Sequence, residues 1–304
     1  MTNTVAITAD ETYMTEVAAW RNKMSDDLRA PDGWLSLAGL FELREGEQTI
    51  GSDETCDVAL PASAPAQLGV LRFKNGQTHL SITSDVTVWV DGAPAREAVL
   101  ADDGDGAATP TKVSVGTVTL FVHSYDGRYA IRVKDSANPA IAAFTGRVWF
   151  EVNPAYRVRG QFVPQPQDVR IETMVNTSST QQSPGVLNFE LHGQPLQLLV
   201  MRRTGNKLSL LMRDATSGKE TYGAVRFLTV EVDDEGNADV DFNKAYSPPC
   251  AFTPYATCPL PPRQNILPVR VVSWGALPAP LPAKRASLKN VTASFRPFAD
   301  SGSE

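Results

Sequence analysis

The stretch that decides the fold is VSVGTVTLFVHSYDGRYAIRV, residues 113–133. Apolar and polar side chains alternate along both of its ends, which is the period-two pattern of a half-buried β-strand. Asp126 and Gly127 interrupt this alternation with a dipeptide that is typical of a tight turn. The stretch therefore predicts two antiparallel strands, at 113–123 and 129–133, separated by that turn.

Runs of the same kind occur on both sides of this stretch. They are short, rich in valine, threonine, isoleucine and aromatic residues, and separated by turn sequences such as Lys-Asn-Gly and Asp-Gly. The further predicted strands are 68–73, 79–82, 86–90, 148–152, 169–172, 185–191, 197–203, 208–213, 226–232 and 238–242. We expect a polar loop at 178–184 and a hairpin turn at 233–237. Short antiparallel strands at this spacing indicate a sandwich or a barrel.

One segment near the start of the chain has helical periodicity instead. Asp10 and Glu11 suit the positive end of a helix dipole, and the Pro-Asp-Gly sequence at 31–33 ends the segment. The apolar side chains between residues 8 and 28 recur at steps of three and four: Tyr13, Met14, Val17, Trp20, Met24 and Leu28. We expect a helix whose apolar face packs on a sheet.

These patterns predict an all-β protein with one N-terminal helix and two β-rich units. Residues 1–140 carry 11 basic and 20 acidic side chains, whereas residues 141–304 carry 17 and 14. This asymmetry fits a two-part chain, although a drift in surface composition would produce it as well. The predicted parts are a helical segment at 1–31, a β-sandwich at 32–140, a barrel-like or sandwich unit with a proline-rich signature at 141–276, and a flexible tail at 277–304.

The composition limits the possible functions. The 304 residues are 42% hydrophobic, but no run of about 18 apolar residues exists, so no membrane-spanning helix is expected. The net charge of −6 argues against nucleic-acid binding. The first residues, MTNTVAITADETY, lack the basic and apolar regions of a secretory signal. We therefore expect a cytoplasmic protein that binds neither nucleic acid nor membrane.

Three cysteines, Cys56, Cys250 and Cys258, are too few and too unevenly spaced for a disulfide framework. Cys250 and Cys258 share one proline-rich stretch, and three interpretations remain open: structural thiols, a disulfide or redox pair, or half of a metal site. The metal interpretation lacks further ligands, because the chain contains no CxxC and its three histidines are scattered. We predict no metal and no cofactor.

Several longer motifs occur together in this chain. In chain order they are WR at 20–21, DGWLSLAGLF at 32–41, IGSD at 50–53, DVALP at 57–61, DATSGKETY at 214–222 with Arg226, DFNKAYSPPCAF at 241–252, and CPLPP at 258–262 with Asn265. Together they resemble the bacterial "domain of unknown function 1684" family, over roughly residues 16–275. The resemblance implies a family without an established activity.

The first half also resembles a forkhead-associated (FHA) sandwich. Its landmarks appear in that domain's order, as IGS at 50–52, CDVAL at 56–60, VWVDG at 88–92 and VGTVTL at 115–120. An FHA domain that reads phosphothreonine has an arginine after the first glycine, and a Ser-x-x-His stretch that contacts the phosphate. Here Ser52 follows Gly51, and the stretch at 63–66 reads SAPA. The resemblance therefore implies a scaffold rather than a phosphopeptide reader.

Candidate site residues are concentrated between 214 and 265. We predict Asp241 as a general base, with Tyr222 or Tyr246 as the acid. Arg226 supplies a cationic fork for an anion. The other predicted ligand-binding residues are Asn243, Asp214, Thr216 and Asn265. Along a strand, Asp241 and Asn243 point to the same face, with the intervening side chain on the other.

The same residues also have a purely structural interpretation. Asp214 and Thr216 could cap a turn that ends at Gly218. An Asp241–Arg226 ion pair could link neighbouring strands. The seven prolines between residues 248 and 268 could form a rigid extended strap over a sheet edge.

The sequence thus predicts a protein that binds a small polar or anionic molecule in its second unit. If the protein is an enzyme, hydrolysis or lyase-type proton transfer is the expected reaction class. The alternative function is a non-catalytic adaptor that holds a protein partner through the FHA-like half. The small-molecule function would be favoured by a concave pocket lined by Tyr222, Arg226, Asp241 and Asn243. The adaptor function would be favoured by a flat second half together with exposed loops around 51–67.

Overall fold

The computed structural model describes residues 9–104, 106 and 108–272, which divide into two compact units. One, here called the sandwich unit, consists of residues 38–135, and the other, the helix unit, combines residues 9–37 with 136–272. The predicted tail at 277–304 lies outside the described residues. Within them, no helix is long and apolar enough to cross a membrane.

The sandwich unit contains two mostly antiparallel sheets. In chain order its strands are β1 (Leu37–Glu42), β2 (Gly46–Gly51), β3 (Val58–Ala59), β4 (Gly69–Lys74), β5 (Gln77–Ile82), β6 (Trp89–Val90), β7 (Ala93–Pro94), β8 (Glu97–Leu100), β9 (Val113–Val115), β10 (Val118–Tyr125) and β11 (Arg128–Asp135). The strand order is β1-β11-β10-β9-β6-β7 in one sheet and β3-β2-β4-β5-β8 in the other. Both sheets contribute side chains to a single core, so the unit is a β-sandwich, as predicted.

The hairpin on which the sequence analysis began lies inside the six-stranded sheet. β10 and β11 pair without a break from Val118 opposite Asp135 to Tyr125 opposite Arg128. At the turn, Asp126 and Gly127 both have positive φ, of 47° and 74°, which a two-residue hairpin turn requires. The alternating valine, leucine and isoleucine side chains of these strands are buried in the shared core, which confirms the predicted strand at 129–133. The single strand predicted at 113–123 is wrong, because a turn at Gly116, with φ of 57°, divides it into β9 and β10, and these pair antiparallel with each other.

Ser52, which follows the first glycine of the FHA-like landmarks, bonds within the sandwich unit. Its hydroxyl donates to the Ala64 carbonyl at 2.8 Å, and its backbone N–H donates to the Pro65 carbonyl at 2.8 Å. These two hydrogen bonds connect the ends of the segment 52–65.

The helix unit combines two helices with seven strands. Its elements are α1 (Ala9–Arg29), α2 (Pro139–Ala143), β12 (Arg157–Glu172), β13 (Ser178–Leu191), β14 (Gln194–Val200), β15 (Arg202–Thr204), β16 (Lys207–Met212), β17 (Arg226–Glu231) and β18 (Asn237–Asp241). The strands form a four-stranded sheet in the order β14-β13-β12-β18 and a three-stranded sheet in the order β15-β16-β17. Both sheets contribute side chains to two core clusters, and neither sheet closes into a barrel in the described part of the chain.

Two local predictions in this unit are wrong. Residues 178–184 are not a loop but the first half of β13, because they pair with the end of β12 in a long hairpin with mostly exposed side chains. Residues 148–152 are not a strand, and Trp149 packs instead against α1, with the rings of Trp149 and Trp20 centred 5.7 Å apart. The predicted turn at 233–237 is confirmed, and it connects strands of two different sheets.

A buried polar network holds α1 on the helix unit. Tyr13 Oη donates to Asp241 Oδ1 at 2.9 Å and accepts a hydrogen bond from Asn243 Nδ2 at 2.9 Å. Burial and the neighbouring Asp241 raise the pKa of Tyr13 above its usual value, so the phenol stays protonated. About two helical turns further on, the Arg21 guanidinium lies 4.8 Å from the ring centre of Trp149. The helix is therefore attached by specific contacts as well as by its apolar face.

Replacement of Tyr13 by phenylalanine tests this attachment. Tyr13→Phe removes the hydroxyl and with it one buried hydrogen bond to the Asp241 carboxylate and one from the Asn243 amide, so we expect the free energy of unfolding to fall by about 1–3 kcal/mol. Urea unfolding followed by circular dichroism measures this loss. Met14→Ala is the matched control, because Met14 is 41% exposed on the same helix. An equal loss in both variants would contradict the network.

Candidate functional site

Arg226, the predicted cationic fork, pairs with Asp214 and not with Asp241. Its Nη2 lies 2.6 Å from Asp214 Oδ1, and both side chains are fully buried. Its Nη1 donates to Thr221 Oγ1 at 3.2 Å and to Thr216 Oγ1 at 3.3 Å. Burial lowers the pKa of Arg226, while the charge of Asp214 opposes that shift. The pair joins the turn at 214–221 to the beginning of β17.

Asp214 has further partners on the backbone. Its Oδ1 accepts hydrogen bonds from the backbone N–H of Thr216 at 2.8 Å and from the hydroxyl of Thr216 at 2.6 Å. Its Oδ2 accepts the backbone N–H of Val271 at 2.6 Å. The turn-capping arrangement that the sequence suggested for Asp214 and Thr216 is present. Their predicted part in ligand binding stays a prediction.

Asp241 and Asn243 lie together next to α1, but not along one strand as predicted. β18 ends at Asp241, and Asn243 lies in a 3₁₀ turn, Phe242–Lys244, which the Asp241 carboxylate caps. Asp241 Oδ1 accepts the backbone N–H of Asn243 at 3.0 Å, in addition to the Tyr13 hydroxyl. The Asn243 amide pairs with the backbone of Asn153, donating to its carbonyl at 3.0 Å and accepting its N–H at 3.0 Å. Lys244 Nζ lies 3.8 Å from Asp241 Oδ2. These contacts hold both α1 and the segment before β12 against the end of β18.

Asn265 joins the two sheets of the helix unit. Its Oδ1 accepts the backbone N–H of Leu199 in β14 at 2.7 Å, and its Nδ2 donates to the Leu199 carbonyl at 2.9 Å. The same Nδ2 donates to the Leu211 carbonyl in β16 at 2.7 Å. Asn265 is fully buried, so its whole amide is used to connect one sheet edge to the other.

Tyr222 and Tyr246 lie near the Cys250–Cys258 thiol pair. Tyr222 Oη donates to the Cys250 carbonyl at 3.1 Å, and Cys258 together with burial raises the pKa of the Cys250 thiol. Burial raises the pKa of both phenols, and Cys258 contributes to the rise at each of them. The Cys258 thiol is therefore close to Tyr222 and to Tyr246, which the sequence did not relate to one another.

Arg147, which the sequence analysis missed, lies beside Tyr246. Its guanidinium is 4.6 Å from the ring centre of Phe252 and 5.6 Å from that of Tyr246. Nη1 donates to the Ser247 carbonyl at 2.7 Å, and Nε donates to the Met24 carbonyl at 3.4 Å. A single arginine in an irregular segment carries no sequence signal for such a position. We call Arg147, Tyr246 and Phe252 the Arg147 site.

The Arg147 site has polar groups without partners. Among the residues that the structure describes, no carboxylate pairs with Arg147, and its Nη2 makes no hydrogen bond. The Tyr246 hydroxyl also has no hydrogen bond within those residues. Burial lowers the pKa of Arg147 to about 10, so the group is still charged at neutral pH. The side chain is only partly enclosed, which leaves the charge accessible to a small solute.

A shallow cavity of about 730 Å³ lies elsewhere, on the face of the four-stranded sheet turned away from its core. A row of neutral amides crosses it in register over all four strands: Asn237, Gln161, Asn188 and Gln197. The residues predicted for a pocket do not line this cavity. In the described ranges, no group of three or more histidine, cysteine, aspartate or glutamate side chains is placed to hold a metal ion.

The buried Arg226–Asp214 pair predicts that two arginine variants differ strongly in their free energy of unfolding. Arg226→Met leaves Asp214 charged and unpaired in the interior, so we expect the free energy of unfolding to fall by about 3–5 kcal/mol. Arg270→Met is the control, because Arg270 forms an exposed pair with Glu220, worth about 1 kcal/mol or less. Chemical unfolding of both variants measures the difference. Similar small losses would show that the buried pair contributes little.

Three solved structures show what the chain is similar to. A solution NMR structure of an uncharacterized protein from Haloarcula marismortui is 30% identical, covers 44% of this chain and 78% of its own, and has a TM-score of 0.38. The FhaA FHA domain, complexed with an intracellular domain, is 23% identical, with coverages of 31% and 86% and a TM-score of 0.22. An FHA domain studied for phosphothreonine-dependent interactions is also 23% identical, with coverages of 31% and 81% and a TM-score of 0.22.

No curated protein matches the chain. Residues 142–273 match the family described as "Protein of unknown function (DUF1684)". The matched range contains the motifs at 214–222, 241–252 and 258–262, whereas the motifs before residue 62 lie outside it. The match covers 132 of the 304 residues, and over this range the chain is similar to the DUF1684 family.

Proposed function

We propose that the helix unit binds a small anionic molecule at the Arg147 site. The observation that carries the proposal is a charged, partly enclosed guanidinium with no carboxylate partner among the described residues. Enclosing a cation between aromatic rings removes part of its hydration, and an unpaired charge in such surroundings is costly. An anion at Nη2 would supply the missing opposite charge.

The arrangement fits a carboxylate or a phosphate group. With Nη1 engaged by the Ser247 carbonyl, Nη2 is free to donate to an oxygen of the ligand. The Tyr246 hydroxyl is a second hydrogen-bond donor. The ring that carries it lies next to the Arg147 guanidinium. The Phe252 ring limits access of water, which strengthens a charge-assisted hydrogen bond.

The proposal retains part of the function predicted from the sequence. It keeps an anionic ligand and Tyr246, and it assigns the cationic role to Arg147, since Arg226 already has Asp214 as its partner. Asp241, the predicted base, has no part in it. Hydrolase or lyase activity, and an adaptor role of the FHA-like half, stay predictions.

Thermal unfolding in the presence of anions tests the proposal. A ligand that binds only the native state raises its stability, by about 2.7 kcal/mol at a concentration 100 times Kd. We expect millimolar phosphate or citrate to raise the melting temperature by a few degrees, compared with chloride at equal ionic strength. Arg147→Met should abolish the rise, and Arg147→Lys should reduce it, because lysine keeps the charge but loses the planar fork.

Arg270→Met is the control, because it removes an exposed arginine of the same unit and should keep the full response. An equal rise in the wild type and in Arg147→Met would place the anion elsewhere. The lack of any rise in the wild type would overturn the proposal.

A further inference from the structure

The four-stranded sheet of the helix unit carries a straight row of amide side chains on one face. The row crosses all four strands in register, through Asn237 in β18, Gln161 in β12, Asn188 in β13 and Gln197 in β14. All four side chains are exposed, and all four line the cavity of about 730 Å³. Neighbouring strands lie about 4.8 Å apart, so the row is roughly 14 Å long. A long, open row of this kind suits an elongated ligand that lies across the strands.

The composition of the row is unusual for the middle of a sheet. Asparagine is depleted in β-strands, and yet Asn188 lies in β13, with a glutamine directly opposite it on each neighbouring strand. Among the residues that the structure describes, the amides of Asn188 and Gln197 make no hydrogen bond to the protein. Positions that contradict local propensity without a compensating contact are expected at functional sites. These two amides are therefore available to a ligand.

The other half of the row is held in a fixed orientation. Gln161 Nε2 donates to the Glu235 carbonyl at 2.9 Å. Asn237 Nδ2 donates to Asp233 Oδ2 at 2.9 Å. Gly236 leaves room for the first of these amides, because a Cβ at position 236 would lie 2.6 Å from Gln161 Nε2. With both nitrogens engaged, the two amide oxygens remain as acceptors, whereas the free amides at the other end of the row both donate and accept.

We propose that this amide row binds a linear, neutral oligosaccharide along its length. A sugar hydroxyl donates and accepts hydrogen bonds, and a primary amide does the same, so the two groups pair without a charge on either. A sugar ring in an extended chain is about as long as the spacing between neighbouring strands, roughly 5 Å, so successive rings meet successive amides. An extended peptide fits less well, because its groups on one side recur at about 6.6 Å.

The charges around the row give no reason to expect an ionic ligand. Arg159 is the one charged side chain among the described residues that line the cavity. It lies opposite Asp239, whose pKa is lowered by a hydrogen bond from Arg157 and by the positive charges of both arginines. Arg159 therefore already has a carboxylate beside it, and its N–H groups can donate to hydroxyls. The row shares no residue with the Arg147 site, so this proposal does not rest on the function proposed there.

Saturation-transfer NMR on the full chain tests the proposal with three extended, neutral tetrasaccharides: cellotetraose, mannotetraose and chitotetraose. We expect at least one of them to bind with a millimolar or lower Kd. The affinity should not change between low and high salt, because the ligand has no charge to be screened. Maltotetraose is the control for shape, since it contains the same glucose units as cellotetraose in a curved chain. It should bind at least about tenfold more weakly than the best extended probe.

Two variants of the row and one matched control locate the binding. Asn188→Ala and Gln197→Ala should each weaken binding about tenfold, because each removes an amide that forms hydrogen bonds with the sugar. Both should keep the wild-type melting temperature, since the side chains are exposed. Gln194→Ala should keep the wild-type affinity, because Gln194 is exposed on the same strand as Gln197 and does not line the cavity.

Failure of all three extended tetrasaccharides to bind would overturn the proposal, and so would binding that the two alanine variants leave unchanged. Equal binding of maltotetraose would overturn the assignment of an extended chain. A row that instead pairs with a second copy of this chain would give a dimer in analytical ultracentrifugation that Asn188→Ala disperses, which would also overturn the proposal. Arg147→Met should keep saccharide binding, and phosphate should not displace the saccharide, so the failure of either proposed site does not decide the other.

Discussion

The buried Asp214–Arg226 ion pair is the interaction on which the helix unit depends most. Both side chains are completely removed from water, so their charges are stable there only in each other's presence and with hydrogen bonds around them. The hydroxyls of Thr216 and Thr221 and the backbone N–H of Val271 supply those bonds. A turn, the start of a strand and a distant extended segment are thereby held at one point, and the core forms around that point.

The fold could be predicted from the sequence to a large extent, because hydrophobic periodicity is a local property. The two-residue period at 113–133 produces β9, β10 and β11, and the three- and four-residue steps of the N-terminal segment produce α1. The errors arise where pairing rather than composition determines the backbone. Residues 178–184 are polar and still form a strand, because the end of β12 lies beside them.

The arrangement of the candidate residues could be predicted less well, because it depends on contacts between distant parts of the chain. Strand geometry did not give the relation between Asp241 and Asn243, because β18 ends at Asp241 and a capped 3₁₀ turn brings the two side chains together. Their third partner, Tyr13, is 228 residues from Asp241. Arg226 was predicted to hold an anionic ligand, with an ion pair to Asp241 as the structural alternative, and it pairs instead with Asp214, which lies in the turn before its strand. The aromatic surroundings of Arg147 combine α1, an irregular segment and the proline-rich segment, and no pattern in the sequence joins these three.

Residue types alone therefore did not distinguish polar groups that are bonded inside the protein from polar groups that could bind a ligand. Asp214, Arg226, Asn243 and Asn265 are of the kinds that bind ligands, and the structure shows each with partners inside the protein. Arg147 differs because part of its hydrogen-bonding capacity has no internal partner in the described chain. The balance of donors and acceptors around a buried polar group is thus more informative about a site than the identity of the residue.

The position of Asn265 has a consequence for the order in which the protein assembles during synthesis. The backbone groups of Leu199 and Leu211 that it satisfies belong to strands made 66 and 54 residues earlier. Until the ribosome has released that asparagine, those groups face solvent at open sheet edges, which are the surfaces most prone to pairing with other chains. Helix α1 emerges first and must wait for Asp241 and Asn243 before Tyr13 can bond. The first and last parts of the helix unit are thus completed together, and a nascent chain that stops between them exposes both an unattached helix and unprotected strands.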